Sequence, residues 1–307
     1  MKANAFVKFL VEEGKERFTG GTSLQQPVKL IANASSGAIS GTGGVVNINP
    51  SPQLQYMTLQ PKFYYYTVNF TLDDYTRTFE AEEEILNFMQ TKRDMALADF
   101  VRTFSVDVQG TSSGNALLVE GLKDIVAASG TAYAGLTNTD YATGAYLPTI
   151  VTTANSVVNY QNINYLIAAS KARAQQWGDN ITYEPDMGLW NKSVQASFLN
   201  ACQAQQRFYE EKILSAGFNG VKVNNIEFYM DDNTPGTQDG STGDNYVYVF
   251  PKKSMKLLFK YGFDNPSPLD DDVRIPNQAI KSYQTFYAWN LMGILRRLVS
   301  VNKNFVA

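Results

Sequence analysis

The sequence predicts an α+β protein with two projections, and three observations predict it. A stretch of about fifty residues, Leu24 to Leu72, has strand-like limbs and a Gly/Ser tip but no helical periodicity. Directly after it, apolar residues recur mostly at four-residue steps over 77–105, the mark of one long helix. From residue 115 onward helical and extended patterns alternate, and Met255–Tyr261 closes the series as a period-2 strand.

Taken in order, residues 1–23 form an amphipathic segment ending at Gly20-Gly21. Its apolar run is broken by Lys8 and meets Glu12-Glu13, too short and too charged for a secretory signal. No apolar run approaches the ~18 residues of a membrane helix, so the chain is expected to fold in a cytoplasm without membrane contact. Leu24–Ile31 is the outgoing limb of a hairpin, Ser35–Gly44 its tip, and the returning limb carries Phe63, Tyr64, Tyr65, Tyr66, Val68, Phe70 and Leu72. Such a two-stranded arm is marginal alone and needs something to lie on. The helix over 77–105 places Ile85, Met89, Ala96, Phe100 and Phe104 on one face, with Thr76 or Thr78 as cap and Glu80, Glu82, Glu83 and Glu84 at its positive end. At 1.5 Å per residue it is a spine about 40 Å long. Further helices are expected over 153–176 and 192–215, the latter with Val194, Phe198, Cys202, Tyr209 and Ile213 inward. Strands are expected at Val221–Met230 and Tyr246–Phe250, and Asn265–Asp272 forms a Pro/Asp tip before the chain returns through Ile280–Val301.

Composition removes most enzymology. The 307 residues include no histidine and one cysteine, which leaves no Ser-His-Asp or Cys-His triad, no His-containing zinc site and no internal disulfide. The net charge of −3 is the opposite of the basic footprint of a nucleic-acid reader. Only 18% of residues are charged, against roughly 25% in an ordinary domain, while Tyr and Phe number 18 each. A surface poor in charge and rich in aromatics and amides favours lasting contact with other protein.

No motif carries chemistry. Asp231-Asp232-Asn233 resembles a calcium loop, but Pro235 and Thr242 fall where an acceptor and a bidentate Glu are required, so the segment reads as a solvated turn. Asp270–Asp272 reads as a polar tip, and Gly41-Thr42-Gly43-Gly44 lacks the third glycine and following helix of a dinucleotide fingerprint. Ser300-Val301-Asn302-Lys303 fits a Ser-x-x-Lys pattern without its companion motifs. Cys202 reads as a buried hydrophobe and Trp177, Trp190 and Trp289 as core, while Arg296 and Arg297, adjacent in a strand, point to opposite faces. No catalytic, cofactor-binding or metal-binding residue is assigned.

The order of elements carries a resemblance. Gly20-Gly21-Thr22-Ser23-Leu24-Gln25-Gln26-Pro27 leads into the hairpin, and the hairpin feeds a spine helix bearing Asn87, Lys92 and Ala96. Gly121-Leu122-Lys123-Asp124-Ile125-Val126, the Ala216-Gly217-Phe218 turn and Asp231-Asp232 follow. This layout resembles the major capsid proteins of tailed bacteriophages, whose fold is shared with encapsulins and the herpesvirus capsid floor.

The resemblance implies an N-terminal arm (1–25), an extended loop (26–72), a peripheral domain with spine helix and tip (73–112 and 250–298) and an axial domain (113–249 and 299–307). It implies a subunit that self-assembles into hexamers and pentamers of an icosahedral head enclosing double-stranded DNA, with no catalysis and no cofactor. The partners implied are copies of itself, a scaffolding protein, a portal, a decoration protein and weak non-specific contact with packaged DNA; the place is the virion, assembled in the host cytoplasm. A mildly acidic wall suits a container that must not hold its genome tightly. The chain departs from the family in lacking an obvious long N-terminal scaffolding region, which implies a separate scaffold or a removed propeptide. No lysine–asparagine pair identifies itself as the covalent cross-link of some relatives. An encapsulin-like compartment, a tail or baseplate protein and a carboxylate-based glycosidase remain as alternatives.

Overall fold

A computed structural model describes residues 4–18, 21, 23–29, 38, 44, 54–71, 82–127, 132–136, 149–150, 156–176, 184–204, 210–213, 219–236, 245–260, 273–274, 281–294 and 296–306. Asn4 caps the first helix, α1 (Ala5–Glu12): its Oδ1 accepts from the Phe6 and Val7 amides, answering two of the helix's orphan donors. Ala5, Phe6, Val7, Phe9 and Leu10 are buried, and Phe6 meets Phe250 edge-on at 6.0 Å. The amphipathic N-terminal segment thus folds onto its own subunit. Strand β1 (Lys15–Phe18) then pairs in parallel with Leu257–Lys260.

The hairpin exists, but its return differs from the sequence expectation. β2 (Leu24–Lys29) pairs antiparallel with β3 (Leu54–Leu59), Leu24 opposite Leu59 and Lys29 opposite Leu54. The expected returning limb, β4 (Phe63–Phe70), pairs instead with residues 281–288. The physical reason is burial: Tyr66, Val68 and Phe70 need a core on their inner side, which a two-stranded arm lacks. The base of the hairpin also rests on its own body, with Leu24, Val28, Met57 and Leu59 buried and the Thr58 amide donating to the Ala134 carbonyl at 2.8 Å. The Ser35–Gly44 tip lies outside the described residues apart from Ala38 and Gly44, and the Asn265–Asp272 tip lies outside them entirely.

The spine helix is α2 (Glu82–Gln109), 28 residues and about 42 Å long. Its expected caps and Glu80 lie outside the described residues. Phe100, Val101, Phe104 and Val108 are buried, whereas none of the described side chains between Phe88 and Asp99 is. After α3 (Leu122–Ile125) come β5 (Thr149–Ile150), β6 (Ser156–Val157) and α4 (Tyr160–Gln176). β7 (Met187–Trp190) leads to α5 (Lys192–Ala204), where the Val194 amide donates to Asn191 Oδ1 at 2.9 Å. The helix expected to reach 215 stops at Ala204. Glu210–Ile213 is β8, which extends a sheet by pairing with β9 (Asn219–Val223), so Ile213 belongs to a strand and Tyr209 lies outside the described residues.

The single strand expected over 221–230 is a tight hairpin. Asn224 and Asn225 have φ of 50° and 67°, the left-handed pair of a two-residue turn, so β10 (Ile226–Met230) folds back on β9 with Val223 opposite Ile226. β11 (Asn245–Phe250), β12 (Met255–Lys260), β13 (Val273–Arg274), β14 (Lys281–Gly293) and β15 (Ser300–Val306) complete the chain.

Two large sheets result. One runs β1-β12-β14-β13 with β4 also on β14; the other runs β5-β15-β11-β7-β10-β9-β8 with β6 on β15. The central strands β7 and β11 of the second sheet are buried on both faces. Met187, Leu189, Tyr248 and Phe250 face a core shared with α1, α2 and the first sheet, while Trp190, Phe228, Val247 and Val249 face α4 and α5. Period-2 alternation thus sorts one strand into two cores. Gly188 sits opposite Phe228, and a Cβ there would fall 2.3 Å from the ring, which itself stacks on Trp190 at 4.6 Å.

Candidate functional site

Strand β4 has two unlike faces. Inward, Tyr64 meets Phe104 edge-on at 5.2 Å, Tyr66 stacks on Tyr287 at 6.1 Å, and Phe100 stacks on Tyr287 at 4.7 Å. Phe104 also meets Trp289 at 5.0 Å, so the spine helix is welded to the sheet by aromatic rings. Outward, Phe63, Tyr65, Thr67 and Asn69 are exposed. Tyr65 is 65% exposed, Phe63 58% and the cross-strand neighbour Phe286 47%, with Tyr65 and Phe286 rings 6.2 Å apart. None of these side chains is charged. An exposed cluster of Tyr and Phe without charge has the composition of the centre of a protein–protein interface.

A second locus is a buried polar junction. Asp231 is 4% exposed, and its carboxylate accepts from Asn4 Nδ2 at 2.8 Å, Gln109 Nε2 at 2.6 Å and the Asn233 amide at 3.0 Å. It therefore ties the cap of α1, the last residue of α2 and the end of β10 together. Asn233 Nδ2 donates to Ser105 Oγ of the spine helix at 3.0 Å. Burial pushes the Asp231 carboxyl up to about 6, opposed by these hydrogen bonds. A cleft of about 530 Å³ opens beside it, lined by Asp99, Arg102, Met230 and Asp232 among others. The sequence reading of Asp231 as a solvated turn residue is corrected here: its neighbours are polar turn residues, but tertiary packing buries the carboxyl.

A third feature is a cleft of about 710 Å³ beside β1, where Lys252 pairs with Glu13 at 3.4 Å and Lys256 pairs with Glu16. The glutamates are exposed, and pairs of this kind contribute little. Asp186, at the same cleft, accepts from the Lys252 amide at 2.6 Å, and burial raises its carboxyl. Burial likewise raises Glu120, Asp107 and the Tyr64 phenol, whose oxygen accepts from the Val119 amide at 3.0 Å. Of these groups, Tyr64 and Asp107 are hydrogen-bonded to each other through their side chains. Among the described residues, no three acidic or cysteine side chains are placed to hold a metal ion, and no helix is long and apolar enough to cross a membrane.

The other residues singled out in the sequence fall as follows. Cys202, Trp190 and Trp289 are buried in the cores, and Trp177 lies outside the described residues. Arg296 and Arg297 are not in a strand: they form a short 3-10 turn, and both are buried. Arg296 Nε donates to the Ile125 carbonyl and its Nη2 to the Ala127 carbonyl at 2.8 Å, so the carbonyls at the end of α3 hold the guanidinium inside. Lys303 Nζ donates to the Val126 carbonyl at 3.0 Å, while the Ser300 hydroxyl is buried with no hydrogen-bond partner among the described residues. The junction of Asn4, Gln109 and Asp231 was missed in the sequence; the one local signal is Asn4, a cap residue before an apolar run.

No protein-family model matches the chain, and no curated protein matches it in sequence. Solved structures match it throughout. The capsid of cyanophage A-1(L) superposes with a TM-score of 0.70 at 13% identity, covering 100% of this chain and 93% of that one. The capsid of an empty GTA particle gives 0.63 at 11% identity over 98% and 90% of the two chains. The SrpI encapsulin of Synechococcus elongatus PCC 7942 gives 0.60 at 11% identity over 97% and 88%. With the spine helix, the hairpin and the two sheets in place, the chain has the α+β fold of tailed-phage capsid subunits, a shell-forming fold that encapsulins share.

Proposed function

We propose that the chain is a major capsid protein that self-assembles into the hexamers and pentamers of an icosahedral phage head enclosing double-stranded DNA. The observation that carries this reading is the likeness to a cyanophage capsid subunit across the whole chain. The uncharged aromatic face of β4 and β14 supports it, because a shell subunit must bury large, largely apolar area against its neighbours. The role is structural, without catalysis or cofactor. The partners are copies of the same chain, a scaffolding protein, a portal and a decoration protein, with weak non-specific contact to DNA. The place of action is the virion, after assembly in the host cytoplasm.

The domain division proposed is an N-terminal arm (1–25), an extended loop (26–72), a peripheral domain (73–112 and 250–298) and an axial domain (113–249 and 299–307). In strand pairing, β1 lies beside β12 and β4 beside β14. Electron microscopy of the purified chain, alone and with its scaffold, tests the function: closed shells or capsomer rings are expected, and compact monomers under every condition would overturn it. The encapsulin likeness favours a second reading, a cellular compartment. Nuclease-protected double-stranded DNA inside purified particles supports the phage head, and a co-purifying cargo enzyme supports the compartment.

A further inference from the structure

Asp231 joins three elements distant in sequence, through Asn4, 227 positions away, and Gln109, 122 positions away. The donors bonded to its carboxyl are neutral amides. Among the described residues, the charged groups that line the adjoining cleft are Asp99 and Arg102 of the spine helix and Asp232 on its own turn. α1 contributes Asn4 and Ala5 to that cleft, neither charged, and β7, whose Trp190 carbonyl accepts the Asp231 amide at 2.9 Å, carries no charge. Among the described residues the junction is therefore a buried carboxyl with no bonded cation, placed where the N-terminal helix meets the end of the spine.

We infer that protonation of Asp231 locks the N-terminal helix onto the spine helix, and that ionisation of the same carboxyl loosens this joint. The hydrogen-bond inventory permits the neutral form. Gln109 Oε1 is buried without a partner among the described residues, and a rotation of the Gln109 amide would present it to the carboxyl proton. The direction follows from linkage. Burial holds the carboxyl near 6 in the closed joint, against 3.8 when exposed, so the closed form binds the proton more tightly and acid stabilises it. Opening of the joint should then rise about ten-fold between about pH 5 and about pH 7.5. This inference concerns the single chain and stands apart from the shell reading.

Hydrogen–deuterium exchange on the full-length protein tests it, reading α1 and the last turn of α2 and correcting for the pH dependence of chemical exchange. Wild-type protection is expected to fall about ten-fold from about pH 5 to about pH 7.5. Asp231→Asn is expected to keep high protection at both, and Asp232→Asn to retain the wild-type step. Equal or greater protection at the higher pH in the wild type, or the same step surviving in Asp231→Asn, would overturn the inference. Should Asp231→Asn fail to fold, the carboxyl titration of the wild type decides. A ¹³C midpoint near 6 that tracks α1 protection supports the lock, and a midpoint below about 5 removes it.

Discussion

Replacing Tyr65 by Asp separates the two faces of β4. The Tyr65 side chain is 65% exposed and touches Phe286 across the strand. A buried tyrosine covers about 150–250 Å², so the exposed part available to a neighbour is about 100–160 Å². If the chain assembles as proposed, full coverage in the shell would stabilise each subunit by about 2.5–4 kcal/mol at about 25 cal/mol per Å², and a carboxylate at that position would add a desolvation penalty. The isolated subunit should be nearly indifferent, because surface changes lie within about 0.5 kcal/mol. Urea unfolding of unassembled protein and sedimentation velocity of assembly reactions are the paired assays. The unfolding midpoint is expected to stay put while the critical concentration for assembly rises about a hundredfold or more. If Tyr65→Asp assembles at the wild-type concentration, this face is not a subunit contact and the reasoning from exposed uncharged aromatics fails.

The inner face should respond in the opposite way. Phe104 is fully buried against Tyr64, Phe100 and Trp289, so Phe104→Ala is expected to cost about 3–5 kcal/mol in urea unfolding of the free subunit. Gly188→Ala places a methyl 2.3 Å from the Phe228 ring and should cost about 1–3 kcal/mol; an unchanged unfolding midpoint would show that the ring can move aside. Asp231 also leaves a signature in global stability. Its folded value near 6 exceeds 3.8, so its contribution is complete below the lower value and is withdrawn as pH rises through the upper. The wild type should therefore lose about 2 kcal/mol relative to Asp231→Asn between about pH 4.5 and about pH 7.5, and a pH-independent difference between the two proteins would refute the assignment.

Local pattern made some of this fold legible and left the rest hidden. The spine helix is readable because Phe100 and Phe104 sit one turn apart, and the four-residue step needs no knowledge of partners. The hairpin's return is not legible locally, because Leu54–Leu59 and Phe63–Phe70 are both strand-like and the choice between them is made by residues 281–288, more than two hundred positions away. The Asn224-Asn225 turn was written in the sequence, since asparagine tolerates φ above zero, yet the apolar residues on either side read as one continuous strand. In sequence Glu210–Ile213 reads as the end of a helix, because a four-residue edge strand carries too few residues to display a period.

The site shows the same division more sharply. The outer face of β4 was foreshadowed by composition, since a chain with 18% charged residues must leave some of its many aromatics on the surface. Strand alternation then decides which ones: if Tyr64 and Tyr66 are drawn toward the spine helix, Phe63 and Tyr65 are forced outward together. The aromatic weld that stabilises the subunit and the aromatic face that a neighbour can cover are consequences of one alternating run. A one-residue slip of β4 against β14 would exchange them and abolish both. Asp231 had no such local cause. Asp-Asp-Asn describes a turn correctly, and its burial arises from the arrival of α1 and the end of the spine, which bring Asn4 and Gln109 to its two carboxylate oxygens. A carboxyl buried in this way weakens the fold at neutral pH, so its presence at the meeting point of two helices is better understood as control over that joint than as a contribution to stability.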